Sequence, residues 1–599
     1  MGKKILKPIY KKSDSKLTDN YRGLAIGSVF AKFFSFILLN RLNTFIDTNK
    51  IISPNQIGFM KGSRTSDHIF LVKTLVEKIV KKEGKKLYTA FIDFKKAYDT
   101  VDRIVLLDRL KKLGINGLLL QNIEAMYYKT EYLVKYKNGH LDPISSNVGL
   151  KQGCPLSPML FNIYIDDIIN IFNDKCDPVT LQGKKISHFL YADDLIILST
   201  SENGLQTGLD KLHDFAFKKH LSVSIDKSKT MIFNKTGKLI KRVFNIGGEH
   251  LESVQTFSYL GYEISASGSN SFAIKNLYDK ASKAIQFIFK TIARFNIPVK
   301  TSIRLFDAYI SPIILYNVEN WGEMTNKEIR NVGKGTFWED ILNAKASIIH
   351  RKFLKYILGV TKSCPNLAVM GETGEIPLLL KGYKLMIQYW HRVTNLPDRN
   401  LAKTALLENI NLKTNWITTI EKLINTFNLS DFINNGNKLK YTCKSHIHAS
   451  FVQHWKTYIS IDKSRLEFYS NHKLDFEFAE YLITPDFEKR KAITKIRCSD
   501  HVLEIEKGRH KKTPREARIC KLCTMGRIET EEHFLFDCTF YGDIRRKLNF
   551  YRTYENIFTL ENAHYLGEYI MLALEKRKEK SDYDASLVYP IIPGEGISI

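Results

Sequence analysis

Two adjacent aspartates between two apolar runs are the feature that most constrains how this chain folds. The stretch SHFLYADDLIILST spans Ser187 to Thr200, and its runs HFLY and LIIL predict two short buried strands that meet at Asp193 and Asp194. Burying an unpaired carboxylate is costly, so such a pair needs positive partners. An ordinary polar turn, in which Asp is common, would also satisfy the pattern. The stretch by itself therefore allows either a turn or a charge-binding site.

A third aspartate, Asp93, ends the apolar strand predicted in AFIDFKKAYDTVD. Carboxylates at strand ends become tolerable when divalent cations neutralise them, and hard oxygen ligands with open positions for phosphate suit Mg²⁺. Two such ions roughly 3.5–4 Å apart activate a hydroxyl and stabilise a leaving pyrophosphate. Without metal, adjacent carboxylates repel each other and one takes up a proton. Asp93, Asp193 and Asp194 together therefore predict a site for two Mg²⁺ ions.

The charge balance points to a polyanionic partner. Lys and Arg number 90 against 63 for Asp and Glu, a net charge of +27, which favours nucleic acid ahead of a membrane surface. Basic excess that serves only solubility is the alternative. Lys32 interrupts even the apolar run VFAKFFSFILL, so no membrane span and no membrane partner are expected. A chain of 599 residues should divide into several domains.

A second group of metal-ligand residues lies in RICKLCTMGRIETEEHFLFDC. The order CxxC, nine residues, His, four residues, Cys suits a closed tetrahedral Zn²⁺ site that organises structure. Buried thiols beside a surface histidine are the alternative, because only one CxxC is present. The proposed zinc ligands are Cys520, Cys523, His533 and Cys538.

Five ordered motifs carry a resemblance to a known family. They are Asp93 with Tyr98, GLKQGCPLSP from Gly149 to Pro158, YADD from Tyr191 to Asp194, DKSK from Asp226 to Lys229, and FSYLGYEIS from Phe257 to Ser265. In order and spacing the set resembles the reverse transcriptases of non-LTR (LINE-like) retrotransposons, over about residues 5 to 325 and again near the C-terminus.

The resemblance implies an α+β fold with the right-hand polymerase architecture of fingers, palm and thumb, followed by a mainly helical region and a small zinc-knuckle-like C-terminal module. The implied boundaries are 1–86 for the fingers, 87–245 for the palm with the catalytic motifs, 246–325 for the primer grip and helical thumb, 326–500 for the helical connecting region, 501–560 for the CCHC zinc segment and 561–599 for the tail.

The resemblance also assigns roles around the metals. Asp93, Asp193 and Asp194 would be the palm metal ligands, with Asp193 the more directly coordinating of the pair. Lys227 would lie near the leaving pyrophosphate as a general acid, and Lys229 competes for that assignment.

Further residues would bind the substrates. Tyr98 would lie under the incoming sugar, where its ring collides with a 2′-hydroxyl, although a core aromatic is the alternative. Gln152 and Gly153 would lie against the templating base pair, and Arg22 with Lys11 or Lys12 would neutralise triphosphate charge. In the next finger motif, Gln56, Gly58, Phe59 and Arg64 would meet the template strand. Tyr259, Leu260 and Gly261 would form the primer grip, with Gly261 supplying its turn.

The function implied is RNA-directed DNA polymerisation, in which an RNA template directs extension of a DNA primer or target with dNTPs. A decayed or domesticated copy that only binds nucleic acid is an alternative. It is prompted by the expectation that this chain lacks the N-terminal extension that members of the family carry. An RNA-dependent RNA polymerase with the same palm is disfavoured by Tyr98. The expected location is the nucleus, the cytoplasm or both, and the oligomeric state is not predicted.

Overall fold

A computed structural model describes residues 4–11, 14–128, 130–136, 139–172, 174–433, 436–461, 465–550 and 557–588. The chain forms two compact units. The N-terminal unit comprises Met1–Ala273 together with Arg392–Ile417, and the C-terminal unit comprises Ile274–His391 with Thr418–Ile599. The predicted polymerase motifs all fall in the N-terminal unit, whereas the predicted zinc ligands fall in the C-terminal unit.

The strands lie almost wholly in the first half of the chain. They are β1 (Lys4–Tyr10), β2 (Tyr21–Ile26), β3 (Leu87–Ile92), β4 (Thr130–Tyr136), β5 (Gly139–His140), β6 (Ile144–Ser146), β7 (Val179–Leu181), β8 (Lys184–Ile186), β9 (His188–Tyr191), β10 (Asp194–Ser199), β11 (Lys229–Phe233), β12 (Phe244–Ile246), β13 (Glu249–Ser253), β14 (Thr256–Tyr259) and β15 (Tyr262–Ser265).

A six-stranded sheet in the order β12-β13-β11-β3-β10-β9 carries the predicted catalytic motifs. Its interior strand β3 is apolar and almost entirely buried, so it forms the spine of the core. Strand β10 pairs antiparallel with both β3 and β9. The two apolar runs that flank the paired aspartates are therefore neighbouring strands of one hairpin, as the sequence predicts.

The N-terminal sheet recruits strands from the range predicted as palm. Its order is β2-β1-β4-β5, and β6 also pairs with β4. Strand β4 runs parallel to β1, with Lys4 opposite Tyr132. Strands β4, β5 and β6 thus complete the sheet of the predicted fingers, because a parallel partner can come from a distant part of the chain.

Helices cover the sheets and dominate the second half of the chain. They are α1 (Val29–Asn49), α2 (Thr65–Leu75), α3 (Ala97–Thr100), α4 (Arg103–Lys112), α5 (Gly117–Tyr127), α6 (Ser157–Ile165), α7 (Glu202–Lys218), α8 (Ser271–Phe295), α9 (Val299–Leu305), α10 (Ser311–Ile314), α11 (Val318–Trp321), α12 (Asn326–Asn331), α13 (Thr336–Asn343), α14 (Lys345–Leu358), α15 (Asn366–Thr373), α16 (Leu378–Thr394), α17 (Leu401–Asn411), α18 (Asn415–Thr426), α19 (Gly436–Ile461), α20 (Glu467–His472), α21 (Phe487–Arg497), α22 (Glu504–His510), α23 (Gly542–Lys547) and α24 (Leu560–Val588).

Helix α7 shows how the sequence supports the catalytic sheet. Ser201 caps its N-terminus by accepting a hydrogen bond from the Gly204 N–H. Leu205, Leu209 and Leu212 recur at helical spacing and are buried, and the helix packs against β3 and β10. The predicted mixture of helices and sheets is confirmed. Helix α24 begins at the last residue of the predicted zinc segment and runs through the predicted tail to residue 588, and residues 589–599 lie outside the described ranges.

Helix α1 is the one helix in the described ranges that is long and apolar enough to cross a membrane. Length and composition alone are weak evidence of a span, since core helices of soluble proteins have the same properties. Leu38, Leu42 and Ile46 on one side are buried in the core, whereas Phe30 and Phe33 near its start are exposed.

Candidate active site

The paired aspartates lie at a tight hairpin turn. Tyr191 pairs with Asp194 across β9 and β10, which leaves Ala192 and Asp193 as the two turn residues. Ala192 has a φ of 56°, in the left-handed region that non-glycine residues rarely adopt. Because Ile92 pairs with Leu195, Asp93 follows its strand at the same edge of the sheet as Asp194. The structure therefore brings Asp93, Asp193 and Asp194 together, although they come from two distant segments.

Burial and mutual repulsion raise the pKa values of the paired aspartates. Burial, followed by the charges of Asp193 and Asp93, raises the pKa of Asp194 to about 7. Burial and Asp93 also raise the pKa of Asp193, against the opposing effects of Arg22 and Lys227. Burial and mutual repulsion thus make the ionised forms of Asp193 and Asp194 costly, and their oxygen donors suit a divalent metal ion.

A cavity of about 1090 Å³ opens above the carboxylates. Most of the predicted catalytic and substrate-binding residues line it, and they come from both sheets of the N-terminal unit. The predicted lining residues are Lys11, Arg22, Asp93, Tyr98, Gln152, Gly153, Asp193, Asp194 and Lys227. Lys12 lies outside the described residues. Arg64, Tyr259, Leu260 and Gly261 are not among the lining residues.

Tyr98 is held by stacking and leaves its hydroxyl without a hydrogen-bond partner among the described residues. Its ring stacks on Phe161, with ring centroids 4.8 Å apart and an angle of 15° between the planes. Burial, together with the charge of Asp193, raises the pKa of Tyr98. The Tyr98 ring is therefore held in place by stacking, and it is uncharged where it lines the cavity beside the carboxylates.

The loop that carries Gln152 is tied to the N-terminal sheet. Gln152 donates from Nε2 to Asp99 Oδ1 at 2.9 Å, and its backbone oxygen accepts from the Ala25 N–H at 2.9 Å. Gly153 has a φ of 102°, and a Cβ there would lie 3.0 Å from Leu24 Cδ1. Only glycine allows the loop to approach β2 this closely.

The two lysines that compete for the general-acid role lie in different places. Lys227 lines the cavity, and its Nζ lies 3.0 Å from Asp93 Oδ2. Lys229 is the first residue of β11 and pairs with Glu252 at 3.0 Å. The geometry therefore favours Lys227.

Gln56 does not lie where the template contact was expected. Its side chain is 2 % exposed, accepts from the Ala192 N–H at 2.9 Å and donates to the Ala192 carbonyl at 3.2 Å. The neighbouring Gly58 packs so closely that a Cβ would lie 2.2 Å from the Ala192 nitrogen. Gln56 thus holds the catalytic turn in place through these two hydrogen bonds. Position 58 requires glycine, because any Cβ there would collide with the Ala192 backbone. The expectation for Gln56 was wrong because a buried amide can bond a backbone far away in the chain.

The predicted primer grip forms a second two-residue hairpin turn between β14 and β15. Leu260 and Gly261 both have positive φ, 48° and 78°, as a type I′ turn requires. The Tyr259 hydroxyl lies 2.9 Å from His68 Nδ1, and both residues are buried. Burial lowers the pKa of His68 to about 3, so the ring is neutral. His68 therefore links helix α2 to the predicted primer-grip turn. The sequence could not predict this contact, because a lone histidine does not indicate which residue it bonds.

The four predicted zinc ligands converge in the C-terminal unit. Their ligand atoms all lie within 4.8 Å of one another, with 3.9 Å between the sulfurs of Cys520 and Cys538 and 3.5 Å from Cys523 Sγ to His533 Nε2. A tetrahedral zinc with Zn–S bonds of about 2.3 Å needs sulfurs roughly 3.8 Å apart. The cluster is therefore compatible with a zinc site.

Comparison with known proteins agrees with the site. Residues 9–264 match the family described as reverse transcriptase (RNA-dependent DNA polymerase). The chain is 26% identical over 337 residues to the Pol polyprotein of the R2 retrotransposable element of Popillia japonica, covering 54% of this chain and 45% of the relative. It is 23% identical over 325 residues to the RNA-directed DNA polymerase from the mobile element jockey of Drosophila melanogaster, covering 52% and 34%.

The chain thus spans less than half the length of either relative. Among solved structures, telomerase from Candida Tropicalis in complex with a TWJ fragment of telomeric RNA aligns with a TM-score of 0.32 and 13% identity. That alignment covers 68% of this chain and 64% of the telomerase chain.

Proposed function

We propose that this chain, whose residues 9–264 form a reverse transcriptase domain of the kind carried by non-LTR (LINE-like) retrotransposons, is an RNA-directed DNA polymerase. It extends a DNA 3′-hydroxyl along an RNA template and consumes dNTPs. In this proposal the N-terminal unit supplies fingers and palm, and α8 begins the thumb. Such an enzyme works where its RNA and its target DNA meet, in the nucleus, the cytoplasm or both.

One observation carries the proposal. One cavity, large enough for a nucleotide beside a base pair, brings together the three predicted metal ligands and the predicted cations Lys11, Arg22 and Lys227 from separate segments. Asp93, Asp193 and Asp194 would hold two Mg²⁺ ions, which when bound activate the primer hydroxyl and stabilise the leaving pyrophosphate. The raised pKa of Asp194 supports this assignment, because a bound cation would offset the cost of ionising a carboxyl group that is buried beside Asp193 and Asp93.

The chain's own residues position the substrates. Arg22 and Lys11 line the same cavity as the carboxylates and would bind the triphosphate, which the guanidinium can bind through two parallel hydrogen bonds. Lys227 would donate a proton to the leaving pyrophosphate. The Tyr98 ring would exclude a 2′-hydroxyl, and the Gln152 loop would lie against the templating base pair.

The C-terminal cluster would hold one Zn²⁺ ion in a structural role. Cys520, Cys523, His533 and Cys538 fill a tetrahedron and leave no position for substrate. Its place in the chain is that of a zinc-knuckle-like module, downstream of the polymerase motifs.

The test is primer extension by the purified full chain. With Mg²⁺ and poly(rA)/oligo(dT), the wild type should incorporate dTTP and Asp193→Asn should not. Asp214→Asn, which changes an exposed aspartate on α7, is the matched control and should extend normally. Full activity of Asp193→Asn would refute the proposal, and so would a wild type that binds the duplex yet extends nothing.

A further inference from the structure

A segment from beyond the polymerase motifs returns to complete the N-terminal unit. Residues 392–417 belong to that unit, and α17 packs along α2 of the predicted fingers. Asn409 donates from Nδ2 to Thr74 Oγ1 at 2.7 Å, and the rings of Trp416 and Phe70 lie 4.7 Å apart. We call residues 392–417 the return segment. It buries one side of the helix whose N-terminus carries Arg64.

Arg392, the first residue of the return segment, grips the loop before α2. Its guanidinium donates to the Gly62 carbonyl at 2.8 Å and forms an ion pair with Asp67. The other oxygen of Asp67 accepts from the backbone N–H of Arg64 at 2.9 Å. A single arginine therefore fixes both ends of the loop 62–67, and its planar fork suits two acceptors at once.

The ion pair is sheltered from water. The side chain of Asp67 is 2% exposed and that of Arg392 is 18% exposed. Removing one partner of such a pair leaves a buried charge without compensation, which costs far more than loss of an exposed pair. Loss of Arg392 should therefore free loop 62–67 from its present position, because Asp67 would be left as a buried charge without its ion-pair partner.

The loop that Arg392 holds and the residues just before it present groups suited to a nucleic-acid strand. Phe59 is 57% exposed and lines the active-site cavity, while Lys61 and Arg64 are exposed beyond it. An aromatic ring beside cations binds single-stranded nucleic acid through stacking and phosphate contacts. This face therefore fits the unpaired template that enters the site.

We propose that Arg392 is a positioning residue for the unpaired template, acting through Asp67 and the loop that carries Arg64. The inference rests on the proposed function, since it assigns a template to the cavity. It makes the return segment part of the template-binding apparatus of the polymerase.

The test measures binding, so that it does not depend on catalysis. Fluorescence anisotropy with full-length protein compares a DNA-primed RNA duplex that has an unpaired 5′ template overhang with the same duplex made blunt. The wild type should prefer the overhang substrate by roughly five- to tenfold, the scale of one or two phosphate contacts. Arg392→Ala and Asp67→Asn should lose that preference, and Arg392→Lys should keep part of it. Arg399→Ala, an exposed arginine of the return segment, is the matched control.

Primer extension adds a second readout. Arg392→Ala should raise the KM for template–primer while kcat at saturation stays near wild type, and Arg64→Ala combined with Arg392→Ala should be no worse than either alone. An Arg392→Ala protein that keeps the overhang preference would overturn the inference. If Arg392→Ala does not fold, unchanged preference in the folded Arg392→Lys and Asp67→Asn proteins would overturn it equally. Wild-type protein that incorporates no dNTP would refute the proposed function instead. The anisotropy measurements would still test the role of Arg392, because they do not depend on catalysis.

Discussion

The side-chain amide of Gln56 pairs with both backbone groups of Ala192, accepting at 2.9 Å and donating at 3.2 Å. Ala192 immediately precedes Asp193 and is the residue held at positive φ. The pairing fixes the turn in the orientation that aims both aspartates at the cavity, and it crosses 136 positions of the chain.

Replacing Gln56 with Leu should therefore damage catalysis more than substrate binding. The turn loses a donor and an acceptor, and a misplacement of about 1 Å at reacting groups costs roughly 100-fold in rate. We expect kcat to fall by roughly 10- to 100-fold in primer extension, with little change in the KM for dNTP. Gln206→Leu is the matched control, because Gln206 makes the same two bonds to the Asn245 backbone away from the cavity. Equal losses in the two variants would contradict the prediction.

The raised pKa of Asp194 makes the metal-free protein sensitive to pH. Its folded value of about 7 exceeds an unfolded value of about 3.9, so the folded state binds the proton more tightly. Stability from this group is full below about pH 4 and is lost as the pH rises to about 7. At about pH 8 without added Mg²⁺, Asp194→Asn should therefore raise the free energy of unfolding by about 1–2 kcal/mol, after allowance for solvent screening.

The difference between Asp194→Asn and wild type should shrink as the pH falls to below about 4, where Asp194 becomes protonated in both states. Denaturant unfolding across this range, with Asp214→Asn as control, measures it. Added Mg²⁺ should stabilise the wild type more as pH rises, because only the ionised carboxylate binds a cation strongly. A gap that widens on acidification would show the opposite sign.

The Tyr98 ring, and not its hydroxyl, should give the enzyme its preference for deoxynucleotides over ribonucleotides. Tyr98→Ala should raise incorporation of rNTP relative to dNTP by roughly 10- to 100-fold, since steric discrimination by one group lies in that range. Tyr98→Phe should match wild type, because the hydroxyl has no hydrogen-bond partner among the described residues. Single-nucleotide insertion kinetics measure both ratios. A wild type that prefers rNTP would instead support an RNA polymerase.

Removing the zinc should unfold part of the C-terminal unit. Metal analysis of wild type should find about one zinc per chain, and Cys538→Ser should lose it together with folding free energy. The readouts are metal content and thermal unfolding. Cys443→Ser, a buried thiol of α19 outside the cluster, should keep the metal. Metal-free wild-type protein with unchanged unfolding would count against the site.

The parts of the site that sequence reasoning predicted are those encoded by contiguous residues. YADD lies between two apolar runs whose period and composition fix a hairpin, so the positions of Asp193 and Asp194 follow from local rules. Asp93 ends a buried strand for the same reason. The choice between Lys227 and Lys229 needed the structure, because only the start of β11 and its Glu252 partner separate the two.

Pairings between distant segments lay beyond local rules. Gln56 sits in a glycine-punctuated basic loop, where a polar side chain reads as surface, and nothing nearby reveals Ala192 as its partner. The return segment lies in the range predicted only as mainly helical, and a helical prediction does not identify the surface that a helix covers. The pairing of β4 with β1 is equally invisible, since a parallel strand carries no turn signal.

The return segment also sets an order of events during synthesis of the protein. Arg392 follows its partner Asp67 by 325 positions. At a ribosomal rate of about 5–20 residues per second, that interval is roughly 16 to 65 s. For this time the nascent chain holds α2 with Phe70 and Asp67 uncovered, within reach of chaperones and of other nascent chains. A polypeptide that terminates before residue 392 would lack every contact that the return segment makes with that surface.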